Sequence, residues 1–208
     1  ADYLGYVIYP QDTPIVCVTV AKRFVSEFGV LRISAGEAVR TILATQKKTE
    51  LAIHILKHLQ KGLVVPDEFV IKCIELILMD VICNTRGFVL DGYPVTRHQI
   101  NLMNNCKIIP VKIIELQADI KEILKRGLID SKSPDRTYPL HDSSQILTVR
   151  NSSYIHEISA IWKYYQVEHQ NWHIIYALHS KWWVWEKVLE IVKTSVKQIE
   201  LYLQRIQE

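Results

Sequence analysis

Apolar stretches of strand length alternate with amphipathic stretches of helix length along most of this 208-residue chain, and nothing else in the sequence constrains the fold as tightly. Strand-like runs stand at 6–9, 87–90, 111–116 and 173–177. Helical periodicity fills the intervals at 15–28, 35–43, 50–60, 67–81, 120–128 and 154–168. Strands joined through helices pair in parallel, and the helices then cover both faces of the sheet. The expected fold class is therefore α/β, with a parallel β-sheet flanked by helices. A hydrophobic share of 49% suffices for a real core.

One domain over 1–208 is expected, with its core in 5–128 and 154–192. The stretch 129–153 is polar and rich in turn-forming residues, and reads as a short lid-like insertion between core elements. An extended C-terminal helix is expected over 184–207. From Leu189 its apolar residues fall at Val192, Val196, Ile199, Leu203 and Ile206, spaced alternately three and four. Such a stripe needs a surface to cover it: its own domain, another domain of the same chain, or a protein partner. Trp182 and Trp183 are adjacent, so both cannot readily be core residues.

Charge and composition exclude several functions. The net charge of +3 comes from interleaved basic and acidic residues, so neither a nucleic-acid surface nor a membrane surface is marked. The apolar runs are far too short to span a bilayer, and a soluble, cytoplasmic protein is the expectation. The first residue is Ala1, which suggests a domain of a longer protein. The cysteines, Cys17, Cys73, Cys83 and Cys106, form no CxxC pair and read as reduced thiols. The i,i+4 pairs His54/His58 and His169/His173 lack a zincin glutamate and read as solvated helix faces. No cofactor or metal is implied by these residues alone.

The most specific segment is GFVLDGYPVTRHQ at 87–99. It resembles the adenylate kinase signature, a strand ending in Asp-Gly-aromatic-Pro-Arg and followed by a glutamine. ISAGEAVR at 33–40 is similar to the family's ISTGDLLR, and GLVVPDEFV at 62–70 is similar to its GxLVPDE turn. Three motifs in family order identify the chain as a member of the nucleoside monophosphate kinase (adenylate kinase) family, clearly over 5–128. The resemblance implies a P-loop-NTPase-like sheet and, for the family, phosphate transfer from ATP to AMP with Mg²⁺.

Aligned back from ISAGE, the family's phosphate loop falls on 11–19. Its glycines land on Gln11, Pro14, Val16 and Val18, and its lysine on Cys17; Thr19 alone matches. Such a loop converges successive backbone N–H groups on an anion and needs residues with positive φ or close backbone approach. Valine resists a left-handed conformation, and proline has no N–H to offer. Thr13 before Pro14 instead suits an ordinary helix start. The family's arginine after Asp-Gly-aromatic-Pro is Val95 here, with Arg97 two residues on and expected to point elsewhere. Of two lid arginines Arg126 matches the first, while the second falls on Asp130; a further one falls near Ala160. Arg136 and Arg150 are the residues left to compensate. Catalysis of phosphoryl transfer is positioning and charge stabilisation, so these losses together imply an inactive domain.

The acceptor half survives better. By resemblance Arg40 contacts the monophosphate, Gln99 reads adenine, Gly92 admits the base, and Leu63, Val64 and Val65 flank it. Asp91 matches a carboxylate that holds magnesium through water in the family. Ala35 replaces the family's threonine. The resemblance thus implies a degenerate domain of a larger protein, structural or regulatory, with residual AMP binding. Some multidomain members combine active and inactive copies, and some are associated with motile cilia; the nucleus also stays open. Two alternatives stand beside it. One is an active kinase with a remodelled donor site built on Arg126, Arg136 and Arg150. The other is an interaction scaffold that binds no nucleotide.

Overall fold

The computed structural model describes residues 3–10, 14–79, 87–130 and 144–207. In chain order the elements are β1 (Tyr3–Pro10), α1 (Pro14–Phe28), β2 (Leu31–Ser34), α2 (Ala35–Thr45), α3 (Glu50–Gln60), α4 (Asp67–Leu78), β3 (Phe88–Asp91), α5 (Arg97–Asn105), β4 (Ile108–Gln117), α6 (Ile120–Asp130), α7 (Ser144–Trp162), a π-helical turn (Lys163–Glu168), β5 (Trp172–Tyr176) and α8 (Lys181–Gln207). The strands form one sheet in the order β2-β3-β1-β4-β5, and every pairing is parallel.

Side-chain alternation along the strands divides the core in two. Phe88 and Leu90 face one side with Val7, Ile33 and Ile113, packed by α2, α3, α4, α5 and α7. Val89 faces the other with Ile114, Leu116 and Ile175, packed by α1, α6 and α8. This period of two is what a sheet covered on both faces requires.

Local chemistry fixes the helix ends near the site. Ser34 caps α2 by accepting from the Glu37 N–H at 3.3 Å, and Thr96 caps α5 by accepting from the Gln99 N–H at 3.2 Å. Helix α3 ends in a Schellman motif. Gly62 sits at φ 67°, its N–H donates to the Leu59 carbonyl, and the Leu63 N–H donates to the His58 carbonyl.

Several expectations need correction. β2 and α5 were not anticipated: four residues with an arginine among them carry little periodic signal. Helix α4 ends at Leu78 rather than at 81. Helix α7 starts at Ser144 rather than at 154, because Ser152 and Ser153 turn their hydroxyls back onto the Thr148 and Val149 carbonyls. Of the expected insertion 129–153, residues 129–130 and 144–153 are helical; 131–143, with Arg136, lie outside the described residues, as do Gln11, Asp12, Thr13 and Cys83. Helix α8 starts at Lys181, not 184. His169 and His173 share no helix: His169 follows the π-helical turn and His173 lies on β5.

Through Val184, Trp185, Val188, Val192 and Ser195, α8 buries its first half on the domain, while Val196 stays exposed. Trp185 meets Phe24 edge-on at 5.6 Å. Trp182 is 70% exposed, its ring under the Arg23 guanidinium at 4.5 Å, and Trp183 is 37% exposed. Among the described residues no helix is long and apolar enough to cross a membrane.

Candidate functional site

Parallel sheets gather functional residues at the carboxyl ends of their strands. Here Ser34 at the end of β2 lies opposite Asp91 at the end of β3, and Asp91 lies opposite Ile8 near the end of β1. The chain leaves β3 through Gly92, at φ 69°, and a cis Tyr93-Pro94 bond. Gln99, on the first turn of α5, is buried and secures that loop. Its Oε1 accepts from the Val95 N–H at 2.7 Å, and its Nε2 donates to Asp67 Oδ1 at 2.8 Å. Asp67 opens α4, directly after the 63–66 segment, so one carboxamide joins the loop to that segment. Each end of the amide has room for one more bond, a lone pair on Oε1 and an N–H on Nε2.

The other acceptor-side residues are placed as follows. Leu63 is 54% exposed and Val64 90%, while Val65 is half-buried against the core. Arg40 is exposed on α2, its guanidinium folded over Gly36 of the same helix, where an added Cβ would stand 3.3 Å from Nη1. Ala35 begins α2. The Gln99–Asp67 bond thus ties the loop after β3 to the start of the helix that follows 63–66, whereas Arg40 keeps its contact within α2. A cavity of about 670 Å³ opens between β2, α2 and α4, but none of these residues lines it; Arg32, Glu37, Thr41 and Gln46 do.

Asp91 has a partner that the sequence reading missed. Arg32, on β2, donates from Nε (2.8 Å) and Nη2 (2.6 Å) to Asp91 Oδ2, and from Nη1 to both Glu37 oxygens (2.8 and 2.6 Å). Arg32 and Asp91 side chains are 17% and 7% exposed. Burial pushes the Glu37 carboxyl up, but hydrogen bonding and charge from Arg32, with Ser34 and the charge of Arg40, outweigh it and hold the carboxyl below its ordinary value. Burial works against the Arg32 charge too, yet its two carboxylates raise its pKa. The magnesium that the family resemblance associates with Asp91 does not fit these residues. Mg²⁺ takes a near-octahedral shell of oxygens, and Asp91 Oδ2 already carries a guanidinium whose positive charge repels a second cation.

The donor-side candidates are placed as follows. Pro14, Val16, Cys17, Val18 and Thr19 lie within α1, where the alignment had put the phosphate loop. Val95 is exposed, and Arg97 stacks its guanidinium on the Tyr164 ring at 4.2 Å. Arg126 donates from Nε to Glu122 Oε1 at 2.8 Å and from Nη1 to the Ala177 carbonyl at 2.9 Å, tying α6 to the end of β5. Asp130 ends α6, Arg150 falls within α7, and Ala160 is exposed on α7. His54 and His58 each lay their ring by Phe69, 5.7 and 5.8 Å away, and donate from Nδ1 to the carbonyl four residues back. Among the described residues no group of three His, Cys, Asp or Glu side chains is placed to hold a metal ion. Cys73 and Cys106 are free thiols.

A second unforeseen centre lies on β4. Glu115, 4% exposed, accepts from Tyr154 OH (2.7 Å), Trp172 Nε1 (2.9 Å) and Gln117 Nε2 (3.0 Å). Its position in a strand gave no hint of these partners, which come from α7, β5 and β4.

Comparison with known proteins decides the family, since the family model described as Adenylate kinase matches residues 17–170. The chain belongs to the adenylate kinase family. It is 44% identical over 191 residues to mouse (Mus musculus) Adenylate kinase 9, an overlap of 91% of this chain but 10% of that protein. The chain therefore spans a tenth of that relative. It is 26% identical to an Adenylate kinase of Fusobacterium nucleatum, over 73% of this chain and 82% of that one. An Adenylate kinase of Carboxydothermus hydrogenoformans is 37% identical over 41% of this chain and 39% of its own. Adenylate kinase membership accounts for the all-parallel sheet and for the motifs at 33–40, 62–70 and 87–99.

Proposed function

We propose that this chain is an adenylate-kinase-like unit of a longer nucleoside phosphate kinase protein, one that binds AMP at its acceptor half and does not itself transfer phosphate. The observation that carries the reading is the start of α1 at Pro14: positions 14–19 of the aligned phosphate loop are helical, and none of residues 11–19 is a glycine or a lysine. A helix directs its N–H groups along its own axis rather than onto a bound phosphate chain, save at its first turn. Arg126, held by Glu122 and the Ala177 carbonyl, supports the same reading. On the acceptor side, support comes from the Gln99-linked loop and the open Leu63 and Val64 wall, with Arg40 left exposed for a phosphate. Its role in the longer protein is structural or regulatory.

Calorimetric titration of AMP and ATP, each alone and with Mg²⁺, tests this directly. AMP binding that Arg40→Ala abolishes, with no ATP binding and no ADP formed from the mixture, is the expected result. ADP production, or ATP binding tighter than AMP binding, overturns it and restores a working kinase. Silence with both nucleotides leaves a scaffold.

A further inference from the structure

The Asp91–Arg32–Glu37 cluster holds more than a failed magnesium site. A carboxylate that is 7% exposed at the end of a central strand needs a counter-charge, since leaving it unpaired costs several kcal/mol. The guanidinium supplies it with fork geometry: two N–H groups on Asp91 and one nitrogen across both oxygens of Glu37. The three residues come from β2, β3 and the first turn of α2, which the cluster ties together where two strands end.

We infer that Arg32 is a tethered cation that replaces a divalent metal at the Asp91–Glu37 carboxylates, making this end of the sheet independent of Mg²⁺. An arginine keeps its charge at any physiological pH and cannot dissociate, whereas a bound ion comes and goes with its concentration. The inference stands on these contacts and does not depend on AMP binding.

The test uses the 208-residue chain with Mn²⁺ alone as the probe, read by the loss of free-ion electron paramagnetic resonance signal and by thermal melting. Wild type is expected to bind no Mn²⁺ at this cluster, and Asp91→Asn to change nothing in that respect. Arg32→Gln removes the charge at similar shape. It is expected to melt lower and to take up Mn²⁺ at least about tenfold more tightly than wild type, because loss of the guanidinium charge raises the affinity of these carboxylates for a divalent ion. Mn²⁺ should recover part of the lost melting temperature, and adding Asp91→Asn to Arg32→Gln should abolish the binding. If Arg32→Gln fails to fold without metal, folding rescued by Mn²⁺ or by the added Asp91→Asn supports the inference. No rescue by either shows that Arg32 acts through packing and overturns it. So does Mn²⁺ binding to wild type that Asp91→Asn removes, or Arg32→Gln that melts like wild type and binds no ion.

Discussion

Gln99 Nε2 donates to Asp67 Oδ1 at 2.8 Å, across 32 positions of sequence, so an amide assigned to reading a base also fastens the loop after β3 to the start of α4. Its orientation is fixed by the Val95 N–H, which requires an oxygen facing it. Gln99→Glu therefore puts a carboxylate oxygen against Asp67 in a buried site. We expect a loss of about 2–3 kcal/mol in chemical denaturation. Adding Asp67→Asn turns the second partner into a donor and should restore most of that loss. A double variant no better than the single one would refute the pairing.

Gly62 occupies the left-handed position that ends α3, and nothing lies within 4 Å of where its Cβ would be. Gly62→Ala should thus cost about 1 kcal/mol through backbone strain alone. Gly62→Asn should cost less, since asparagine tolerates this conformation. Equal losses for both, measured by thermal melting, would contradict a purely conformational origin.

Glu115 gathers three donors, from Tyr154, Trp172 and Gln117. Glu115→Ala strands those donors and should cost on the order of 3 kcal/mol or more. Tyr154→Phe removes a single hydroxyl and should cost about 1 kcal/mol. Denaturant midpoints for the two variants check the ranking, and a milder Glu115→Ala than Tyr154→Phe would invert it.

Arg126 holds α6 to the carbonyl after β5. Arg126→Ala is expected to lower stability by about 1–2 kcal/mol and to leave AMP affinity unchanged. A drop of about tenfold in nucleotide affinity at unchanged stability would return Arg126 to the site.

Acidification should weaken the fold in two stages. Burial, with the charge of Lys112, holds His173 below its ordinary value of 6.5, and its Nε2 is buried with no hydrogen-bond partner among the described residues. The unfolded chain takes up that proton first, so this contribution is present above pH 6.5 and is lost as pH falls towards the lower folded value. Glu37 is held below 4.5 in the fold, so its contribution is present above that value and is lost as pH drops further, through the folded value. Melting temperature measured against pH should fall in both windows, and His173→Gln should flatten the upper one only.

What the sequence could reveal depended on the distance over which each feature acts. The loop after β3 was legible because Asp91, Gly92, Pro94 and Gln99 lie within nine positions and carry their own chemistry. The partners of Gln99 and Asp91 were not, since Asp67 and Arg32 reach them from other elements. Arg32 drew no reading because it sits one position before the recognised ISAGE segment, on a strand too short to show alternation. The start of α7 was hidden by its serines, whose hydroxyls bond the helix itself and so leave no polar face for a turn. Glu115 gave no signal at all: a lone carboxylate among apolar neighbours becomes a buried acceptor only after three elements converge on it.

The place of β1 in the sheet also sets the order in which the molecule can be completed. Gly5 pairs with Phe88 and Tyr3 with Ile108, so both neighbours of the first strand are made long after it. At a ribosomal rate of about 5–20 residues per second, the strand waits roughly 4–16 s with both edges open before β3 is available, and longer with one edge open before β4 follows. During that interval its unpaired backbone groups are exposed to any other extended segment nearby. The middle of the finished sheet is therefore the part of the newborn chain that needs shelter longest.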